Sequence, residues 1–595
     1  MIKDLIDREG GAKALESDRV TVGIATCGIA AGAMPVLEKI KKANLGMPVE
    51  GVGCAGMCYN EPIVTVMQDG VKSVYKKVTE DNVGELIDCI KSKKVCKKLF
   101  ACSELTDLDY YKKQKRIVMK NCGLIDPLNL SQYCAMGGFS GIELAVSKKP
   151  AEVVKMVLDA RLRGRGGAGF PTGLKWDIFS KKSGKKYLVC NGDEGDPGAF
   201  MNRTLMESDP FRILEGMMIA AYATGADEAF VYTRAEYPLA IETMSAAIKI
   251  LQEKGLLGEN ILGKNGFNLS IKIKKGAGAF VCGEETALMN SIMGERGYPL
   301  PRPPYPAERG LWGKPTNINN VGTFGHVATV FQMGVEEYQK IGTEKSRGTK
   351  IICLVGKVER SGVVEVPMGI TIGEIVEEIG GGAPKGTEVK AVQSGGPAGG
   401  CIPKDMFDLK LDFETLNDAG AIMGSGGLIV LDDEDCMVGV AKYFMNFTQE
   451  ESCGKCTPCR EGNTRLYELL DKITRGAGTE QDLKTIKKLS EFVKSCSLCG
   501  LGQNAPNPIL STMRYFWGEY LEHVRDKHCR AGACASMLAY KINENCVGCG
   551  SCARVCPAGA ISGSPKQKHF IDDEKCIKCG KCFETCNFNA VEKSG

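Results

Sequence analysis

Residues 163–176 read RGRGGAGFPTGLKW and, after a short basic stretch, residues 185–200 read KKYLVCNGDEGDPGAF. Gly164, Gly166, Gly167 and Gly169 leave six residues of backbone almost free of Cβ atoms, so a flat ligand or a phosphate can rest directly on main-chain N–H groups. Arg163, Arg165 and Lys175 place fixed positive charge beside that cradle. Residues 187–190 form a buried-strand run that ends in the acidic loop NGDEGD at 191–196. The letters GRGGAG match G-x-G-x-x-G, but that dinucleotide fingerprint requires a strand before it and a helix after it. Here residues 151–162 (AEVVKMVLDARL) carry helical periodicity and the strand comes later, so the ordinary fingerprint is excluded. Taken alone, the six letters read as a glycine-rich surface loop.

Two further stretches change that weighting. Residues 275–290 read KGAGAFVCGEETALMN, where small residues again approach a strand end and Glu284-Glu285 opens a helix, and residues 301–320 read PRPPYPAERGLWGKPTNINN. Paired carboxylates at a helix start can simply complement the helix dipole. Beside a glycine cradle they can also accept hydrogen bonds from ribose hydroxyl or nicotinamide amide groups. All three stretches, in this order, resemble the flavin- and NADH-binding subunit of respiratory complex I and its diaphorase relatives in soluble hydrogenases, over about residues 120–513. The resemblance implies that Gly164, Arg165, Gly166, Gly167, Lys175, Asn191, Asp193, Glu194, Gly283, Glu284, Asn319 and Asn320 surround FMN. It implies that Phe170, Glu285, Arg302 and Tyr305 face the nicotinamide nucleotide. The family commonly has Lys and Phe at the last two positions, and Arg302 and Tyr305 keep the charge and the ring. Asp196 stands where the complex I subunit commonly has Glu, and Met293 replaces an acidic residue, which leaves the choice between NAD(H) and its phosphorylated form open. Flavin accepts a hydride as two electrons and can release them singly, so no side chain is required as nucleophile or general base, and no catalytic residue of that kind is assigned.

At 595 residues the chain exceeds one core, and about one domain per 150 residues gives about four. No run of about 18 apolar residues occurs, and residues 1–10 (MIKDLIDREG) lack the apolar centre of a signal peptide, so a cytoplasmic protein is expected. A formal charge of +4 is small for this size and argues against nucleic acid or an anionic membrane as partner. The 28 cysteines, clustered in short spacings and without a secretory signal, point to metal rather than to disulfides.

Residues 1–90 read as a small α/β domain with strands at 19–26, 49–52 and 62–66 and a helix at 33–43. Cys27 and Cys54-x3-Cys58 lie at its turns. It resembles the thioredoxin-like 2Fe-2S domain that accompanies such diaphorases. That family has a second cysteine five residues after the first, where this chain has Gly32, so three ligands are visible and the fourth is unassigned; a domain that has lost its cluster is the alternative. Residues 91–120 are lysine-rich and read as a solvated linker, with Cys96, Cys102, Cys122 and Cys134 as small buried hydrophobes. Residues 121–345 alternate helices (151–162, 239–252) with strands (228–232, 271–274), a Rossmann-like FMN/NADH domain with its ligand at strand ends. Residues 346–420 resemble the family's ubiquitin-like β-grasp domain, to which no chemistry is assigned.

Within 421–535, Cys453-x2-Cys456-x2-Cys459 with Cys499 in SLCGLG gives four thiolates among helical stretches at 438–448, 464–474 and 482–494, a small bundle. The spacing alone admits zinc; in this setting a 4Fe-4S cluster is expected. His523, Cys529 and Cys534 mix imidazole with thiolate, which suits a structural zinc completed by Cys496 or, alternatively, His528. Buried thiols and surface histidines are the other reading. Residues 536–595 repeat a bacterial-type ferredoxin run. One cluster takes Cys546, Cys549, Cys552 and Cys586, and the other takes Cys576, Cys579, Cys582 and Cys556, each fourth cysteine serving the other cluster.

The expected architecture is therefore multidomain α/β with three 4Fe-4S clusters, one 2Fe-2S cluster, FMN, NAD(H) and a zinc. A diaphorase core with a thioredoxin-like front and a two-cluster ferredoxin tail resembles the beta subunits of electron-bifurcating NAD-linked iron-only hydrogenases. The resemblance implies an iron-only hydrogenase catalytic subunit, a small 2Fe-2S thioredoxin-like subunit and ferredoxin as partners in a hetero-oligomer. The diaphorase subunit of an NAD-linked formate dehydrogenase or of a flavin-based transhydrogenase uses the same module. A non-catalytic iron–sulfur relay is the reading of another class, and a nucleotide cradle argues against it.

Overall fold

The computed structural model describes residues 7–594, so residues 1–6 of the expected N-terminal domain lie outside the described residues. The chain divides into two compact units. One runs to Pro384 and includes Val392–Gly396 and Lys404–Val430; the other comprises Lys385–Ala391, Pro397–Pro403 and the chain from Leu431 onward.

In the first unit, strands β1 (Arg19–Gly23), β2 (Val49–Val52), β3 (Val64–Gln68), β4 (Val71–Tyr75) and β5 (Phe100–Cys102) form one sheet in the order β2-β1-β3-β4-β5. β1 runs parallel to β2 and antiparallel to β3. Alternating valines of β1 and β3 bury against the amphipathic helices Ala33–Lys42 and Val83–Lys91. The expectation of a solvated linker over 91–120 is corrected here. That stretch contributes β5, and the helix Asp109–Lys112 buries Tyr110 and Tyr111, whose hydroxyls donate to the carbonyls of Gly56 and Ala55. The lysines mislead because their ammonium groups stay in water while Cys96, Leu99 and Cys102 between them turn inward. Cys122 and Cys134 are fully buried.

Four strands follow: β6 (Tyr187–Gly192), β7 (Glu228–Arg234), β8 (Ser270–Gly276) and β9 (Thr316–Asn320). All pairings are parallel, in the order β8-β7-β6-β9. The chain therefore builds outward from β6 to β8 and then returns to the other side of β6. In an open parallel sheet, the point where the order reverses leaves a crevice at the carboxyl ends of the strands. The crevice lies between β6 and β9, below the loops at Asp193–Glu194 and Asn320. Helices Pro210–Thr224, buried almost throughout, and Val321–Met333 pack beneath it.

Strands β10 (Thr349–Gly356) and β11 (Gly362–Pro367) form an antiparallel hairpin. After a π-helical turn at Glu374–Ile379 come β12 (Val389–Ser394), β13 (Gly400–Pro403) and β14 (Gly427–Asp432), the last parallel to β10 through Val430. The sheet thus extends past the boundary expected at 420, because the buried run GLIVLD supplies the strand that completes β10.

In the second unit, helices Met437–Glu450, Thr457–Thr474 and Glu480–Cys496 form the expected bundle around Val438, Leu466, Leu470, Ile486 and Val493. The C-terminal module pairs β15 (Ala539–Ile542) with β18 (Val591–Ser594), and β16 (Ile561–Ser562) with β17 (Phe570–Ile571), around two short helices, Ser551–Val555 and Lys581–Thr585. Among the described residues no helix is long and apolar enough to cross a membrane.

Candidate functional site

The glycine loop closes on itself: Gly164 N donates to Phe170 O at 2.9 Å and Thr172 N to Leu162 O at 2.8 Å. Gly169 sits at φ +66°, and a Cβ there would come within 2.7 Å of the Phe413 ring; Gly167 sits at φ +127° against the backbone of Gly424. Only glycine fits both positions. A Cβ on Gly166 would face Asn320 at 3.1 Å, so the cradle and the end of β9 lie against each other.

Asn191, at the end of β6, donates to Gly283 O at 3.0 Å and accepts from Asp193 N at 3.0 Å. Asn320 Nδ2 reaches Asn191 O at 3.4 Å, and Asn319 accepts from Trp176 Nε1 at 2.9 Å. Lys175 donates to Ile318 O at 2.8 Å and pairs with Glu285 at 3.2 Å, while Arg302 holds the other oxygen of Glu285 at 2.8 Å. Burial works to raise the Glu285 pKa, and the two cations overcome it, so the carboxyl is held below its ordinary value. The adjacent acid divides the labour: one oxygen of Glu284 accepts from Thr286 N and Ala287 N and caps the helix Glu285–Met293. Phe170 and Tyr305 present exposed rings. The structure thus brings Gly164, Gly166, Gly167, Lys175, Asn191, Asp193, Gly283, Glu284, Glu285, Arg302, Asn319 and Asn320 to one strand-end crevice.

Two of the expected residues are built into the frame of the crevice through their side chains. Arg165 is 1% exposed, and its guanidinium donates to the carbonyls of Arg163, Arg347 and Thr349. Glu194 is buried and accepts from Asn202 N and Arg203 N, capping the helix Met201–Ser208; burial pushes its pKa up to about 7. Sequence reasoning missed Lys350, whose buried ammonium donates to Arg165 O at 2.7 Å, Ser425 O at 3.1 Å and Gly424 O at 3.3 Å. It ties the glycine loop to the turn before β14. Burial, then the charge of Arg165, brings its pKa down to about 7. Asp196 accepts from the Ser425 hydroxyl in the same region.

Cys456 and Cys499 each precede a helix, and Cys459 lies one turn inside Thr457–Thr474. Burial and the neighbouring thiols of Cys456, Cys499 and Cys453 push the Cys459 thiol up to about 11, while the Ser452 hydroxyl works against them. Asn463 Nδ2 also donates to Cys459 Sγ at 3.3 Å. Cys436, His523, Cys529 and Cys534 form a second buried group whose ligand atoms lie within 4.8 Å of one another. His523 Nε2 is 3.3 Å from both Cys436 Sγ and Cys534 Sγ, and Nδ1 lies 2.7 Å from Glu519 O. That carbonyl fixes the tautomer with Nδ1 protonated and leaves Nε2 as ligand. The fourth member is Cys436, not Cys496, which is exposed, nor His528, whose imidazole lies beside Glu522. Cys436 stands alone in DDEDCMVG, 87 residues before His523, so no spacing announces it.

In the C-terminal module one hollow is lined by Cys546, Cys549, Cys552 and Cys586, and a second by Cys576, Cys579, Cys582 and Cys556. The repeat extends to the hydrogen bonds. Ala560 N donates to Cys556 Sγ and Ala590 N to Cys586 Sγ, both at 3.3 Å.

Comparison with known proteins follows the same modules. The chain matches the Nuo51 FMN-binding domain over residues 157–329, the SLBB domain over 351–401, the NADH-ubiquinone oxidoreductase-F iron-sulfur binding region over 439–523 and the 4Fe-4S dicluster domain over 545–590. It is 53% identical over 460 residues to NADP-reducing hydrogenase subunit HndC of Solidesulfovibrio fructosivorans, covering 77% of this chain and 94% of that protein. The chain belongs to the family of FMN-binding subunits of complex I and NAD(P)-linked hydrogenases. Another member of that family, the F 2 subunit of NADH-quinone oxidoreductase from Rhizobium meliloti (strain 1021), is 43% identical over 415 residues, covering 69% of this chain and 98% of its own. A crystal structure of NAD+-reducing [NiFe]-hydrogenase in the H2-reduced state aligns with a TM-score of 0.62 at 28% identity over 87% of each chain. As a member of this FMN-binding family, the chain is an oxidoreductase subunit with an FMN-binding domain and 4Fe-4S domains.

Proposed function

We propose that this chain is the NAD(P)H-oxidising diaphorase subunit of a cytoplasmic, multimeric, electron-bifurcating hydrogenase of the iron-only type. In this reading it exchanges electrons between NAD(H), FMN and iron–sulfur clusters and, through its terminal module, with ferredoxin or a neighbouring subunit. The observation that carries it is the convergence at the β6–β9 crevice of a glycine cradle, the asparagine ends of two strands and a carboxylate clamped between Lys175 and Arg302. FMN, when bound, supplies the conversion between an electron pair and single electrons. The amides of the glycine loop would hold its phosphate and ring. Glu285 would accept the ribose hydroxyls of the nucleotide, with its orientation fixed by its two cations, and the rings of Phe170 and Tyr305 would cover the nicotinamide side. Cys453, Cys456, Cys459 and Cys499 would hold the 4Fe-4S cluster presented as acceptor, and the zinc of Cys436, His523, Cys529 and Cys534 would be structural.

The test is NADH-dependent reduction of a viologen dye by the anaerobically reconstituted chain, with flavin and iron counted on one sample. Activity with one FMN and about twelve or more irons fits three 4Fe-4S clusters. Full iron with neither flavin nor activity would leave a bare electron relay. Bifurcation is tested by adding the hydrogenase partner and ferredoxin: hydrogen formation that requires both NADH and reduced ferredoxin supports it, and formation from NADH alone refutes it.

A further inference from the structure

The N-terminal sheet carries three thiols, Cys27, Cys54 and Cys58, with Sγ atoms within 4.8 Å of one another. Their loops are held from outside the sheet. Glu207 accepts from Thr26 N and Thr26 Oγ1, and Ser208 Oγ accepts from Cys54 N at 3.0 Å. Gly32, which stands where the thioredoxin-like 2Fe-2S domains have their second cysteine, sits at φ +95° with nothing within 4 Å of a Cβ position, away from the thiols.

Glu61 lies beside the group, against Cys27. It follows the short turn Cys58–Asn60, so the i, i+3 spacing sets Cys58 and Glu61 on one side of that turn. Glu61 Oε1 lies 3.7 Å from Cys27 Sγ, and Oε2 accepts from Ile63 N at 2.9 Å. The carboxylate occupies a niche walled by Gly23 and Gly28, where a Cβ would come within 3.2 and 3.3 Å of Oε2. It is 8% exposed, and among the described residues its side-chain partners are Cys27 and Ile63 N, with no lysine or arginine among them. A buried carboxylate beside three thiols and without a cation is costly unless something positive joins it. A metal ion meets that need, because carboxylate oxygen and thiolate sulfur both ligate iron and zinc.

We propose that Glu61 is the fourth ligand of the N-terminal metal centre, which is held by Cys27, Cys54, Cys58 and Glu61 as a three-sulfur, one-oxygen set. The proposal rests on the three thiols binding metal and is independent of the FMN site.

The experiment uses the full chain, reconstituted anaerobically with iron and sulfide. EPR and Mössbauer spectra of wild type minus those of Cys54→Ser isolate the N-terminal centre from the four-iron clusters. Glu61→Gln is expected to lose most of the iron in that component or to change its g values and isomer shift, with FMN content and the four-iron signals unchanged. Glu61→Cys is expected to restore the iron with an all-thiolate spectrum distinct from wild type. A Glu61→Gln difference spectrum identical to wild type would overturn the proposal, as would a wild type carrying no more iron than Cys54→Ser. Should Glu61→Gln misfold, Glu61→Cys decides: a wild-type spectrum overturns the proposal and a shifted one sustains it.

Discussion

Lys350 and Glu194 are ionisable groups enclosed by the frame of the crevice, and each is moved toward neutrality by burial. For Glu194, with a folded pKa of about 7 against an ordinary 4.5, the folded state binds the extra proton between those values. Its contribution to stability is therefore complete below the lower value and is lost as pH rises through the upper one. Glu194→Gln removes this dependence, so its melting temperature should gain on wild type between about pH 5 and pH 8, by up to about 3 kcal/mol in stability; parallel curves would show that Glu194 does not titrate there. Glu285 lies at the crevice, and in the proposed function it meets the nucleotide. Replacing it with Gln removes the anion between Lys175 and Arg302, and the expected outcome is a KM for NADH raised roughly tenfold, equivalent to about 1.4 kcal/mol, with FMN content unchanged. At this scale the sequence was legible where a motif named a residue that the fold brings to the crevice, as for Glu285 between Lys175 and Arg302. It did not show that the Arg165 guanidinium turns into the frame, because letters in a glycine loop do not tell which side of the loop a long side chain takes. It was silent for Lys350, which acts from a different strand.

Among elements, the glycine loop and the helical bundle make opposite demands on their residues. The loop needs the absence of side chains: Gly169→Ala meets both the positive φ and the Phe413 ring, so FMN occupancy should fall severalfold or more while iron content stays at the wild-type level. The bundle needs one particular side chain from far away. Cys436→Ser should reduce bound zinc from one per chain to nearly none and lower the melting temperature, since structural zinc contributes folding free energy directly, whereas Cys496→Ser should change neither. Metal analysis of the two variants checks this. Strands β6, β7 and β8 and the helices of the bundle were legible because their periodicities are clean. The stretch 91–120 was not, because its lysines outweighed a pattern of only a few buried residues, and β14 was missed because the loop before it is long and glycine-rich.

Across the molecule, the order of modules along the chain was readable because each carries its own cysteine or glycine signature. What no local pattern could convey is the return of β9 to the far side of β6, which places residues over 100 positions apart at one crevice. In the C-terminal module the crossing of the chain is shorter but tighter. Cys586→Ser should alter the cluster lined by Cys546, Cys549 and Cys552 and leave the one lined by Cys576, Cys579 and Cys582 close to its original spectrum at first, as EPR of freshly reconstituted protein would show. With time the second should follow. Each half of the repeat lends a ligand from the end of its short helix to the other's hollow, so when one cluster is stripped by oxygen, the helix end that steadied its neighbour is released as well. Half-loaded molecules should therefore be scarce during slow air exposure, and the pair should decay together, which would make the tail of this chain, in the proposed function, an all-or-none fuse.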